Sequence, residues 1–88
     1  MKIGIIGAGQ LGRSHALRWR QLGATVDAVY DTVRPSAERL AADVDGTVVD
    51  SVEELIRRVD VVDVNTPPTA HREPTVAALQ AGRPVVCE

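Results

Sequence analysis

Three glycines at fixed spacing carry the first chemical signal of the chain: Gly7-Ala8-Gly9-Gln10-Leu11-Gly12 reads G-x-G-x-x-G. The pattern suits a ligand bearing a pyrophosphate. Gly7 permits a tight turn, and Gly9 lets phosphate approach the backbone with no Cβ in the way. Gly12 lets the following helix pack closely on a sheet. The helix N-terminus adds N–H groups and partial positive charge. Asp31 lies 19 residues beyond Gly12, where a carboxylate can accept hydrogen bonds from an adenosine ribose. Aspartate also favours turns, so Asp31 alone reads equally well as a turn former. Together with the glycines it points to a dinucleotide. An acid there repels a 2′-phosphate and favours NAD over NADP, although Arg34 is near enough to complicate that preference.

Other reactive side chains are few. His15 falls one turn into the first helix on its inward stripe, which suits a packed ring with a satisfied nitrogen better than catalysis. Cys87 is the single cysteine, so it forms no intrachain disulfide. It reads as a buried strand residue. No cysteine cluster is available for zinc, and no residue of the chain is expected to be catalytic.

These residues need a particular frame to act together. Ile3 to Ile6 is an apolar run broken only by glycine, as in a strand buried on both faces. From Gln10 to Leu22 the period turns helical. Leu11, His15, Trp19 and Leu22 share one side with Gly12 and Ala16, while Arg13, Arg18, Arg20 and Gln21 face away. Gly23 stops that helix. Val26 to Tyr30 forms a second strand, Pro35 opens a helix to about Asp43, and Asp45-Gly46 turns into a third strand at Thr47-Val48-Val49. Ser51 and Glu54 form a capping box for a helix to about Arg58. Val61 to Val64 is the fourth strand, Pro74 fits the first turn of a fourth helix, and Pro84 to Cys87 is the fifth strand. Such alternation predicts an α/β fold: a Rossmann-type parallel sheet of five strands, order 3-2-1-4-5, with helices on both faces.

Composition agrees with that frame. The 88 residues are 44% apolar and 25% charged, enough for one domain, 1–88. A net charge of −2 with mixed signs argues against nucleic-acid or acidic-membrane partners. The aromatics are Trp19 and Tyr30 alone, which leaves no base-stacking platform. No run approaches the roughly 20 apolar residues of a membrane span, and the cytoplasm is the expected compartment.

The second half carries a more specific pattern. Val61-Val62-Asp63-Val64-Asn65-Thr66-Pro67-Pro68-Thr69-Ala70-His71, followed by Ala77-Ala78-Leu79-Gln80-Ala81-Gly82-Arg83-Pro84-Val85-Val86-Cys87-Glu88, resembles the Gfo/Idh/MocA oxidoreductases. These are the relatives of glucose–fructose oxidoreductase and inositol dehydrogenase. The resemblance covers the whole chain and includes Gly4-Ile5-Ile6-Gly7-Ala8-Gly9 with His15-Ala16. It implies a first domain that binds NAD(P), with the segment Thr66 to His71 on the nicotinamide side. Glu88 matches the glutamate of the family's Glu-Lys-Pro motif. The lysine of that motif and the substrate domain are expected beyond it.

The cofactor-binding set is then Gly7, Ala8, Gly9, Gln10, Leu11, Gly12, Asp31 and Arg34, with Thr66, Pro67, Pro68, His71 and Glu88 implied by the resemblance. The expected function is the cofactor-binding domain of an NAD(P)-dependent dehydrogenase acting on a sugar, polyol or related compound. The 88 residues alone are expected to be inactive. A raw edge at the fifth strand invites pairing with another copy or with a further C-terminal domain. The alternative is a nucleotide-sensing module that binds cofactor without turnover, as in potassium-channel gating domains. The Thr66–His71 pattern weighs against it, as it does against a flavoprotein. A methyltransferase is disfavoured because no acid stands in the first strand before the glycines.

Overall fold

A computed structural model of the chain describes residues 1–67, 70 and 72–87. Pro68, Thr69, His71 and Glu88 lie outside the described residues. The elements are β1 (Lys2–Ile6), α1 (Gln10–Gln21), β2 (Thr25–Tyr30), α2 (Arg34–Val44), β3 (Thr47–Val48), α3 (Val52–Arg58), β4 (Val61–Val64), α4 (Arg72–Gln80) and β5 (Val85–Cys87). The strands form one parallel sheet in the order β3-β2-β1-β4-β5, as the alternation predicts.

Period-two alternation along the central strands distributes the core to two faces. Ile3, Ile5, Val26, Val29 and Val61 pack with Ala16 of α1 and Ala37, Leu40, Ala41 and Val44 of α2. Ile6, Ala28, Val62 and Val64 pack with Leu55 and Ile56 of α3 and Ala78 of α4. Gly4 points to the second face, where an added Cβ would lie 2.5 Å from Leu55 Cδ2. That glycine lets α3 sit directly on β1.

Local chemistry sets the helix ends. Ser51 Oγ accepts from Glu54 N at 3.1 Å, the first half of the expected capping box. Glu54 Oε1 returns to Asp50 N at 3.3 Å, one residue earlier than the usual partner. Pro35 occupies the first turn of α2, and Asp45 ends it in the left-handed conformation at φ 61°. Arg83 Nε donates to Val59 O at 2.8 Å and to Ile56 O at 3.2 Å, satisfying carbonyls where α3 stops.

Three expectations change. Leu11 and Leu22 do not join the buried stripe of α1: Gly12 and Ala16 are buried, while Leu11 is 42% and Leu22 68% exposed. Helical period gives direction but not the extent of the surface opposite. Leu11 overhangs the end of the sheet, and Leu22 is already the C-cap. Cys87 is exposed rather than buried, because β5 is an outer strand with a sheet neighbour on one side only. The arginines of α1 that face away from the sheet do not all face solvent alone. Arg13 pairs with the Asp43 carboxylate, and Arg20 Nη1 donates to Asp43 O at 2.9 Å, tying α1 to α2.

The closest backbone approach lies at Gly12, where an added Cβ would fall 1.8 Å from Gly7 O. At Gly9 an added Cβ would meet nothing within 4 Å. Gly12→Ala should therefore lower stability by about 1–3 kcal/mol or more through overpacking, while Gly9→Ala stays close to the parent. Urea midpoints of the two variants measure the contrast, and equal midpoints would contradict this account of the β1–α1 turn.

Candidate functional site

The sheet reverses its build direction between β1 and β4, and the carboxyl ends of strands at such a point form a crevice. A cleft of about 650 Å³ opens there, lined by Ile6, Gly7, Gly9, Gln10, Leu11, Tyr30, Asp31, Thr32, Asn65, Thr66, Pro67 and Ala70. Its first wall is the β1–α1 turn. Gly7 adopts φ 95°, which L side chains rarely enter, and its missing Cβ would lie 2.7 Å from the Asn65 carbonyl. Gly9 begins α1 as an N-cap without a side-chain hydrogen bond, and no acid stands in the first turn. The leading amides of α1 thus carry no side-chain cap.

Asp31 stands at the rim of the cleft, directly after β2. Its Oδ2 accepts from Ala8 N at 2.7 Å and its Oδ1 from Val33 N at 2.8 Å. Each carboxylate oxygen retains lone-pair capacity for a further donor. Asp31 therefore braces the glycine turn as well as facing the cleft. The second wall is the segment after β4. Asn65 N donates to Ile6 O at 2.7 Å, and Thr66 Oγ1 donates to Ala70 O at 3.0 Å.

Of the residues expected at the site, Gly7, Gly9, Gln10, Leu11, Asp31, Thr66 and Pro67 line the cleft. Ala8 and Gly12 stand behind it, Ala8 through its N–H to Asp31 and Gly12 as the contact between turn and helix. Arg34 does not line it: its guanidinium engages Asp50 at 2.6 Å and Glu38 at 3.5 Å. Pro68, His71 and Glu88 fall outside the described residues.

Sequence reasoning missed Asp63. It occupies the centre of β4, is wholly buried, and points toward α1 where alternation calls for an apolar residue. Its carboxylate takes His15 Nδ1 at 3.0 Å, Trp19 Nε1 at 2.8 Å and Asn65 Nδ2 at 3.0 Å. His15 thus has the satisfied ring nitrogen expected of it. The available signal was an acid inside a doubly buried strand, set against a histidine and a tryptophan four apart on α1. Asn65, held by Asp63, joins this network to the second wall. Among the described residues no group of three or more His, Cys, Asp or Glu side chains is placed to hold a metal.

Removing the carboxylate would strand three half-buried donors. Asp63→Ala should cost about 3–5 kcal/mol of stability, and Asp63→Asn less, since it keeps one acceptor oxygen. Urea unfolding followed by fluorescence of Trp19, the single tryptophan, reads both the loss and the change around the indole. A loss within the range of an ordinary surface substitution would contradict the network.

Residues 1–88 match the family described as oxidoreductase family, NAD-binding Rossmann fold, GFO_IDH_MocA. The inositol 2-dehydrogenase of Cereibacter sphaeroides is 42% identical over 92 residues, covering 100% of this chain and 28% of that protein. That of Agrobacterium fabrum is 37% identical over 94 residues with the same coverage. The chain thus spans about 28% of the length of these relatives. Among solved structures, UDP-N-acetylglucosamine 3-dehydrogenase from Acidithiobacillus ferrooxidans superposes with a TM-score of 0.92 at 32% identity, over 99% of this chain and 29% of that one. The myo-inositol dehydrogenase from Lactobacillus casei, in complex with NAD(H) and myo-inositol, gives 0.91 at 29% identity, over 99% and 27%. Glycine turn, rim carboxylate, switch-point cleft and relatives converge: the chain belongs to the Gfo/Idh/MocA oxidoreductases, as their NAD-binding Rossmann domain.

Proposed function

We propose that the chain holds NAD for a dehydrogenase that oxidises a hydroxyl of a polyol or sugar. The observation that carries this is the pairing of Gly9, whose Cβ direction is empty, with Asp31 at the rim of the same cleft. The residues present fit a dinucleotide. The uncapped first turn of α1 receives the pyrophosphate beside Gly7, Gly9, Gln10 and Leu11, and Asp31 accepts from the adenosine ribose. Ala8 and Gly12 act indirectly, by fixing Asp31 and the helix. Thr66 and Pro67, with Pro68, His71 and Glu88 by resemblance, serve the nicotinamide side. When bound, the nicotinamide supplies the acceptor for the substrate's hydride.

NAD is preferred to NADP, because the Asp31 carboxylate opposes a 2′-phosphate. The substrate class rests on relatives named for inositol and an amino-sugar nucleotide. Residues 1–88 act as one nucleotide-binding domain of a cytoplasmic enzyme, and other parts of the protein hold the substrate. The outer strand β5 offers an edge for a second copy or for such a part.

Calorimetry tests the cofactor reading. NADH should bind more tightly than NADPH, and Asp31→Ala should weaken NADH by about tenfold or more, the scale of a charged hydrogen bond. Gly9→Val should abolish binding with unchanged circular dichroism, since its side chain enters only open space. Binding retained in both variants would place the cofactor elsewhere.

The 88 residues alone should not turn over substrate even where cofactor binds. Hydride transfer from an alcohol needs a base for the hydroxyl proton and a wall holding the carbon against the nicotinamide. His15 is committed to Asp63 and does not line the cleft, and Asp31, which does, already accepts from two backbone amides. Absorbance of NADH across a panel of polyols and sugars is the measurement. Substrate-dependent reduction of NAD by the pure chain would overturn this view.

A further inference from the structure

Arg34 follows Asp31 by three residues, and the connection curls around the carboxylate through the Val33 N–H at 2.8 Å from Oδ1. A guanidinium so tethered is the usual counter-charge for a 2′-phosphate. Here it is already engaged. Nη1 donates to Asp50 Oδ1 at 2.6 Å, and Nε lies 3.5 Å from Glu38 Oε2 one turn along α2. The Asp50 carboxylate, through that hydrogen bond and its charge, raises the Arg34 pKa above its ordinary value. Asp50 also borders a hollow of about 200 Å³ with Glu53 and Glu73, whose wall at Tyr30 is shared with the main cleft. The guanidinium therefore faces Asp50 and Glu38 and does not line the main cleft.

We propose that Asp50, with Glu38, is a specificity-determining residue: it holds Arg34 away from the 2′ position and so withholds a cation that would accept NADP. The proposal rests on the reading that the cleft holds a dinucleotide with Asp31 at the adenosine ribose. Two terms then select NAD. Asp31 repels the 2′-phosphate directly, and Asp50 keeps the compensating charge occupied. Both partners are exposed, Arg34 at 57% and Asp50 at 81%, so the latch is a competition rather than a lock. A doubly charged phosphate competes with the carboxylates for the same guanidinium, and the equilibrium shifts when they are neutralised.

Calorimetric titration of NADH and NADPH at low ionic strength tests this on the parent protein, Asp50→Asn, Asp50→Asn/Glu38→Gln, and the latter with Arg34→Ala added. Neutralising both acids should raise NADPH affinity about fivefold, the scale of an exposed ion pair, with NADH affinity unchanged. Adding Arg34→Ala should remove the gain. The latch is overturned if NADPH affinity does not move. It is also overturned if the gain survives without Arg34, which would make it a general field effect. A fall in both cofactors on neutralisation overturns it as well, since Arg34 would then be a platform for the adenine. A parent protein that binds neither cofactor overturns the dinucleotide reading and the latch together, whereas normal NADH binding with an unchanged NADPH response overturns the latch alone.

Discussion

Three stretches of backbone meet at the carboxyl end of β1 with no side chain between them. Gly12 brings α1 against the Gly7 carbonyl, and Gly7 in turn abuts the Asn65 carbonyl where β4 ends. Cβ atoms at these two glycines would come within 1.8 Å and 2.7 Å of backbone, distances no side-chain adjustment can relieve. That convergence fixes the direction of α1 relative to the sheet, and with it where the helix N-terminus points. It also fixes the spacing of the two walls of the cleft. The packing of Ile3, Ile5 and Val26 on one face and Val62 and Val64 on the other stabilises the sheet, but it does not by itself aim the helix.

Rotation of α1 about its own axis is set by a different interaction. Ala16 is the one apolar side chain of α1 that is buried, and Gly12 adds none, so apolar burial along this helix is thin. Asp63 compensates by taking one donor from each of two successive turns, His15 and Trp19. Burying a carboxylate costs several kcal/mol of hydration, roughly what three good donors return. The net effect on stability is therefore small beside the effect on geometry. An apolar residue at position 63 could bury area against α1, but it would not hold the His15 and Trp19 rings, or the Asn65 amide at the cleft wall, in one arrangement.

Much of this was legible in the chain. Short apolar runs separated by amphipathic segments give five parallel strands, and Gly7, Gly9, Gly12 and Asp31 mark the cleft because their roles are backbone or strand-end roles fixed by local spacing. What local pattern does not carry is pairing across the sheet. His15 meets Asp63 across 48 residues and Arg34 meets Asp50 across 16, and no periodicity encodes either. The misjudged exposures have the same origin. Leu11 and Leu22 sit at the two ends of α1, and Cys87, paired with Val64, lies on an outer strand, so each exposure is a property of the assembled sheet. Pro68, His71 and Glu88 were identified by family pattern alone, and the described residues do not include them.

The backbone turn at Gly7 and Gly9 has a consequence for recognition. Amides and an empty Cβ direction at Gly9 suit a pyrophosphate, and every nicotinamide dinucleotide presents the same one, so this part of the site can bind but cannot choose. Under the proposed function, a choice between NAD and NADP would fall to charged side chains at the Asp31 end of the cleft. Those are Asp31, fixed to the turn through the Ala8 N–H, and Arg34, fixed to nothing in the turn. The two differ in how firmly they are held. Asp31 accepts from two backbone amides and is committed by the fold, whereas Arg34 depends on the exposed carboxylates of Asp50 and Glu38. On the proposed dinucleotide reading, cofactor preference would be the difference between a carboxylate fixed by two backbone amides and a guanidinium held only by exposed acids. A change at Asp50, outside the glycine turn and the rim carboxylate, alters that difference without touching what holds the pyrophosphate.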